Sequence, residues 1–120
     1  MNDDMFKKVV ELARNKYNTI ELEHAKSLME KDEIFLIDVR PSEIYSQAHL
    51  PNSINIPLSK LENSKDLPKN MDSQILTICN RGNSSLAGLI ILKALGYNRV
   101  KSMNGGTLEW INKGYKIEQS

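Results

Sequence analysis

Apolar positions along the chain follow two rhythms in alternation. Phe6, Val9, Val10 and Ala13 recur at helical spacing behind the acidic pair Asp3-Asp4. Arg14 and Lys16 follow where a helix C-terminus favours cations, so the pattern predicts an N-terminal helix. After Tyr17-Asn18-Thr19-Ile20, the residues Leu22, Ala25, Leu28 and Met29 mark a second helix, closed by the charged stretch Glu30 to Glu33. Ile34-Phe35-Leu36-Ile37 is then an unbroken apolar run of strand length, the pattern of a strand covered on both faces. Arg40-Pro41-Ser42 breaks it. The middle is irregular: a helical turn at Glu43 to Ser46, a strand at Ser53-Ile54-Asn55-Ile56 and another turn at Leu58 to Leu61, punctuated by Pro51, Pro57 and Pro68. Gln74 to Ile78 is a second apolar strand running straight into Cys79. A polar glycine loop leads from there into a helix from Ser85 to Leu95, stopped by Gly96. Arg99 to Met103 reads as a further strand, and Gly105-Gly106 opens a last helix, Thr107 to Lys113, with Gly114 as its stop. Strands alternating with helices predict an α/β fold around a largely parallel sheet.

Length and composition narrow this picture. With 120 residues, 40% hydrophobic and 26% charged, the chain is the size of one ordinary domain that builds its own core. Its one cysteine, Cys79, rules out an intrachain disulfide framework and every multi-cysteine metal pattern. A formal net charge of +1 gives no electrostatic footprint for nucleic acid or an anionic membrane. The start is acidic where a secretory signal is basic, and the longest apolar run, Leu86 to Leu92, is far short of the ~18 residues of a membrane helix. The expectation is a soluble, cytoplasmic protein with Cys79 kept as a free thiol.

Ligands of open parallel sheets bind beyond the carboxyl ends of the strands, and Cys79 stands at one such end, just before a helix. The segment Cys79-Asn80-Arg81-Gly82-Asn83-Ser84-Ser85 has a glycine for a tight path, with Asn and Ser to accept turn conformations and cap the helix. Such a loop can aim successive N–H groups at one atom, a nest for an anion. With the helix dipole, those donors favour thiolate over thiol. A strand-end cysteine also serves as a small buried hydrophobe, but packing alone does not account for the polar glycine loop behind it.

Three motifs give the chain its resemblance to the rhodanese family, which spans about Tyr17 to Tyr115. Phe35-Leu36-Ile37-Asp38-Val39-Arg40, then Glu43, then Ala48 to Pro57, resembles the family's N-terminal signature. Cys79 to Ser84 resembles its six-residue active loop, in the form of single-domain thiosulfate sulfurtransferases. Gly105-Gly106 with Trp110 and Gly114 resembles its C-terminal pattern. Ala48 and Asn52 depart from it, standing where the family commonly has glycine. The resemblance implies a rhodanese fold, a parallel five-stranded sheet flanked by helices on both faces. It further implies a domain over 17–120 with a helical extension over 1–16, and a Cys79 that carries a sulfane sulfur as a persulfide.

On that reading Cys79 is the nucleophile, and the loop Asn80, Arg81, Gly82, Asn83, Ser84 and Ser85 binds the donor, with Arg81 as the only loop cation attracting an anion such as thiosulfate. A thiol, cyanide or a sulfur-carrier protein takes the sulfur, and neither metal nor organic cofactor is needed. Asp38 and Arg40, ending a neighbouring strand, are expected to support the loop or to pair with each other structurally. His49 matches a structural segment of the family and His24 falls in a charged helix, so neither is expected to form a dyad with Cys79. Two alternatives remain: a persulfide carrier or binding module of a sulfur relay, and a phosphatase or arsenate reductase. The latter needs Arg after Cys and five residues, where this chain has Ser85.

Overall fold

The computed structural model describes residues 2–31 and 34–120; Asp32 and Glu33, in the charged stretch expected to close the second helix, lie outside the described residues. In chain order the elements are α1 (Asp3–Ala13), β1 (Thr19–Ile20), α2 (Leu22–Glu30), β2 (Phe35–Asp38), α3 (Ser42–Gln47), β3 (Ile54–Asn55), a 3-10 helix (Leu58–Asn63), β4 (Gln74–Ile78), α4 (Ser84–Ala94), β5 (Arg99–Met103) and α5 (Gly106–Asn112). The strands form one five-stranded sheet in the order β1-β5-β4-β2-β3, and every pairing is parallel.

Side chains alternate across a strand, so the apolar runs of β2 and β4 feed two cores at once. Ile37, Ile75 and Val100 face Leu61 of the 3-10 helix and Leu89 and Leu92 of α4. On the other face Leu36, Leu76 and Met103 meet Leu22 and Ala25 of α2 and Trp110 of α5. This double covering is why the inner strands read as unbroken apolar runs rather than as alternating ones. Beyond them, Val10 and Ala13 of α1 pack on Leu86 of α4, with Phe6 and Ile90 alongside.

Two elements differ from the sequence reading. Thr19–Ile20 is a strand, β1, not recognised from its residues: it is an edge of two residues, held by Ser102 N–H donating to Asn18 O (2.7 Å) and Asn104 N–H to Ile20 O (2.9 Å), too short for any period to show. β3 is shorter than the expected Ser53 to Ile56 because it is the opposite edge and pairs only through Ile54 and Asn55.

The register places the site. Asp38 is level with Ile78, and Val39 N–H donates to Ile78 O at 2.9 Å. The carboxyl ends of β2, β4 and β5 therefore open on one edge of the sheet, with Arg40, Cys79 and Asn104 just beyond them.

Candidate active site

Cys79 is the first residue past β4 and is 3% exposed. The chain turns back over it: Gly82 N–H donates to Cys79 Sγ at 3.1 Å. Gly82 has φ +96°, in the region that favours glycine, and a β-carbon there would press within 3.4 Å of the backbone at Met103 and Gly105. Loop and β5–α5 turn are thus fitted backbone to backbone.

Below the sulfur lies a chain of hydroxyls. Ser85 Oγ stands 3.4 Å from Sγ and 2.7 Å from Ser102 Oγ, and both serines are fully buried. Thr77 Oγ1 donates to Ser85 O at 2.7 Å, fixing the first turn of α4 against β4. If Cys79 carries negative charge, Ser102 donates to Ser85 and Ser85 donates to the sulfur. Ser102 went unrecognised in the sequence, where its only signal is a hydroxyl between the buried Val100 and Met103.

The backbone that carries Cys79 is clamped by α5. Thr107 N–H donates to Cys79 O at 2.8 Å and Leu108 N–H to Asn80 O at 3.0 Å. These are otherwise unpaired donors of the first turn of α5, spent on the loop carbonyls. The Gly105-Gly106 pair makes the approach possible: Gly106 has φ +65°, and a β-carbon there would come within 2.5 Å of Cys79 O and overlap Asn80 O.

Asp38 and Arg40 are both buried and do pair. Arg40 Nε donates to Asp38 Oδ1 at 2.9 Å and Nη2 to Oδ2 at 2.8 Å, a bidentate fork. The same guanidinium bonds Ala48 O at 2.7 Å and Asn80 Oδ1 at 3.3 Å. The pair is a buried ion pair whose guanidinium also reaches the loop.

Over Cys79 opens a cavity of about 660 Å³. Its walls are Val39 to Pro41, Pro57 to Ser59, and the loop residues Asn80, Arg81, Asn83 and Ser84. Arg81 is exposed at this rim. Asn83 precedes α4 as its N-cap residue but makes no side-chain capping bond; its Oδ1 instead accepts from Arg14 Nη2 at 2.5 Å. The helix begins at Ser84, one residue before the expected Ser85, and its start is not held by the side-chain cap expected from an Asn or Ser of the loop; Arg14 is a second cation beside the loop.

Neither histidine lines this cavity. His49 is buried with its Nδ1 2.7 Å from Tyr45 O and its ring stacked on Tyr45 at 3.8 Å, and its backbone bridges to Glu118. His24 lies on the exposed side of α2. Among the described residues no three His, Cys, Asp or Glu side chains gather into a metal-ligating group, and no helix is long and apolar enough to cross a membrane.

Comparison with known proteins gives this geometry its family. Residues 21–113 match the rhodanese-like domain. The chain belongs to the rhodanese-like domain family. A crystal structure of a rhodanese-related protein from Thermoplasma volcanium superposes with a TM-score of 0.71 at 31% identity, covering 84% of this chain and 97% of that one. An adenylyltransferase and sulfurtransferase of Ogataea parapolymorpha is 42% identical over 76 residues, 63% of this chain but 20% of that protein's length. The human thiosulfate:glutathione sulfurtransferase is 28% identical over 108 residues, covering 79% of this chain and 94% of its own. This rhodanese-like chain thus spans a fifth of the length of the first of these curated relatives and nearly all of the second. Helix α1 lies outside the stretch that matches the family.

Proposed function

We propose that this rhodanese-like chain is a sulfurtransferase that carries a sulfane sulfur on Cys79, with residues 17–120 as the sulfur-handling domain and 1–16 as an extension. The observation that carries this reading is the placement of the lone cysteine's Sγ, buried at the floor of an open cavity with Gly82 N–H at 3.1 Å and Ser85 Oγ at 3.4 Å. Negative charge on the sulfur meets an amide, a hydroxyl chain and the positive end of α4, with no histidine involved.

The donor is an anion such as thiosulfate. In the first half-reaction the Cys79 thiolate attacks the outer sulfur of the donor, the new S–S bond forms as the bond to the sulfonate sulfur breaks, and sulfite leaves with the electron pair. Cys79 is then a persulfide, whose terminal sulfur lies in the cavity under the loop amides Asn80 to Ser85 and beside Arg81. In the second half-reaction a thiolate or cyanide attacks that terminal sulfur, and Cys79 departs as thiolate. No electron is gained or lost overall, and a two-stroke cycle of this kind gives ping-pong kinetics without metal or cofactor. A reducing, cytoplasmic setting keeps Cys79 available for it.

A second reading, a relay module that hands its sulfur to a carrier protein, is favoured by one observation: the Ogataea parapolymorpha relative is a much longer protein named as both adenylyltransferase and sulfurtransferase, and this chain matches a fifth of it. The two readings share the Cys79 persulfide and differ only in acceptor. Phosphatase chemistry fits poorly, because the position that would hold the phosphate-clamping arginine is Ser85, fully buried with its hydroxyl on the sulfur.

Thiosulfate with cyanide tests the proposal: thiocyanate is expected, and with an aryl phosphate no phosphate release. A relay module would form the persulfide and pass it poorly to cyanide. Phosphate release without thiocyanate would reject sulfur transfer.

A further inference from the structure

Helix α1 lies outside the family match, yet the residue that ends it touches the sulfur loop. Val10 and Ala13 seat α1 on Leu86 of α4. The backbone N–H of Arg14 then folds back onto Val10 O (3.1 Å) and Glu11 O (3.3 Å), fixing where the side chain leaves the helix. From there Nη2 reaches Asn83 Oδ1 at 2.5 Å, across 69 positions of sequence. Asn83 is the residue before α4 and part of the cavity wall over Cys79.

The charges around that cavity are unequal. Arg40 lines it but is held by the buried Asp38 carboxylate, which cancels most of its field. Arg81 and Arg14 form no salt bridge among the described residues. A positive rim raises the local concentration of anions relative to neutral reagents; Arg14 does not line the cavity, but its guanidinium adds positive charge directly behind the lining residue Asn83.

We infer that Arg14 is a positioning residue of the sulfur site, one that pins Asn83 at the cavity wall and biases the cavity toward anionic sulfur donors over neutral ones. The inference rests on Cys79 being the nucleophile of the proposed reaction. It makes α1 part of the site's specificity rather than a packing appendage.

Cys79 is the only cysteine, so alkylation of the intact chain reports on this site alone, whether or not the protein transfers sulfur. Iodoacetate and iodoacetamide deliver the same carbon to the same thiolate and differ in charge, so their rate ratio cancels the thiolate fraction and leaves the local field. At ~0.01 M ionic strength the Debye length is about 30 Å, so salt only weakly screens the charge of Arg14 at the cavity. Arg14→Gln, which keeps a hydrogen-bond donor and loses the charge, should lower the iodoacetate-to-iodoacetamide ratio about two- to threefold. Arg14→Lys should retain most of it. Lys8→Gln, the same charge change on an exposed position of α1, should move it far less. Asn83→Ala, which removes the acceptor and leaves α1 seated, should shift the ratio the same way as Arg14→Gln, and salt near 0.15 M should shrink all differences. A ratio in Arg14→Gln no lower than in Lys8→Gln overturns the inference. Absence of thiocyanate formation by the wild type would instead strike the proposed function and leave this readout standing.

Discussion

Gly106 sits directly against the carbonyl of Asn80, so close that any β-carbon at position 106 would overlap its oxygen. That contact sets the first turn of α5 under the loop and lets Thr107 and Leu108 N–H groups hold Cys79 O and Asn80 O. The C-terminal Gly-Gly pair is therefore a device for fixing the floor of the site from a distant part of the chain.

Gly106→Ala should accordingly combine left-handed backbone strain with a forced separation of α5 from the loop. Strain alone costs about 1–2 kcal/mol, and overpacking adds about 1–3 kcal/mol. Gly114 makes the comparison: its φ is +76° with nothing within 4 Å of an added β-carbon, so Gly114→Ala should show only the strain. Urea denaturation of the two variants checks the order, and equal losses would mean the close approach at Gly106 relaxes freely.

Asp38 and Arg40 supply a second stability prediction. Asp38→Ala would leave a buried guanidinium without its carboxylate, at a cost of about 3–5 kcal/mol. Arg40→Met in the same chain should recover part of that loss while releasing Asn80 Oδ1 from its bond to Arg40. Denaturation midpoints of the single and double variants decide it: a double variant as unstable as the sum of the two singles would mean the pair is not coupled.

Arg81 is exposed at the cavity rim and its contribution should be electrostatic and modest. Arg81→Ala should slow persulfide formation from thiosulfate by about two- to fivefold at low salt, the range of an exposed ion pair. Transfer from the persulfide to a neutral thiol should change much less. Alkylation by a neutral reagent across pH serves as the control for any change in thiolate fraction. Equal thiosulfate rates at low salt would remove Arg81 from donor capture and leave the amides and Arg14.

Removal of residues 1–16 should uncover Leu86, which is fully buried beneath Val10 and Ala13. Burial of one Val side chain is worth about 1.5–3 kcal/mol, offset in part by the entropy of ordering α1. The truncated chain should therefore lose only the helix signal of the 11 residues of α1 by circular dichroism and unfold at lower urea. An unchanged midpoint would mean that α1 contributes no net stability.

The parts legible in the sequence are those whose cause is local. β2 and β4 announce themselves because both faces are covered, and Gly105-Gly106 and Gly114 bracket α5 because left-handed backbone selects glycine. β1 was illegible because an edge strand of two residues has no period. The contacts that shape the site were illegible for a different reason: Arg40 to Asn80 spans 40 positions and Arg14 to Asn83 spans 69. Nothing in the composition of either segment points to the other. Asn83 shows the limit most sharply, since a residue of cap type at a helix start has its side chain taken by an arginine from another element.

Intact mass under non-reducing conditions, before and after thiosulfate, tests the central claim most directly. The wild-type chain should gain the mass of one sulfur atom, map it to Cys79, and lose it to cyanide with release of thiocyanate, while a folded Cys79→Ser chain gains nothing. A wild-type mass unchanged by thiosulfate, or a sulfur retained by Cys79→Ser, would contradict the account.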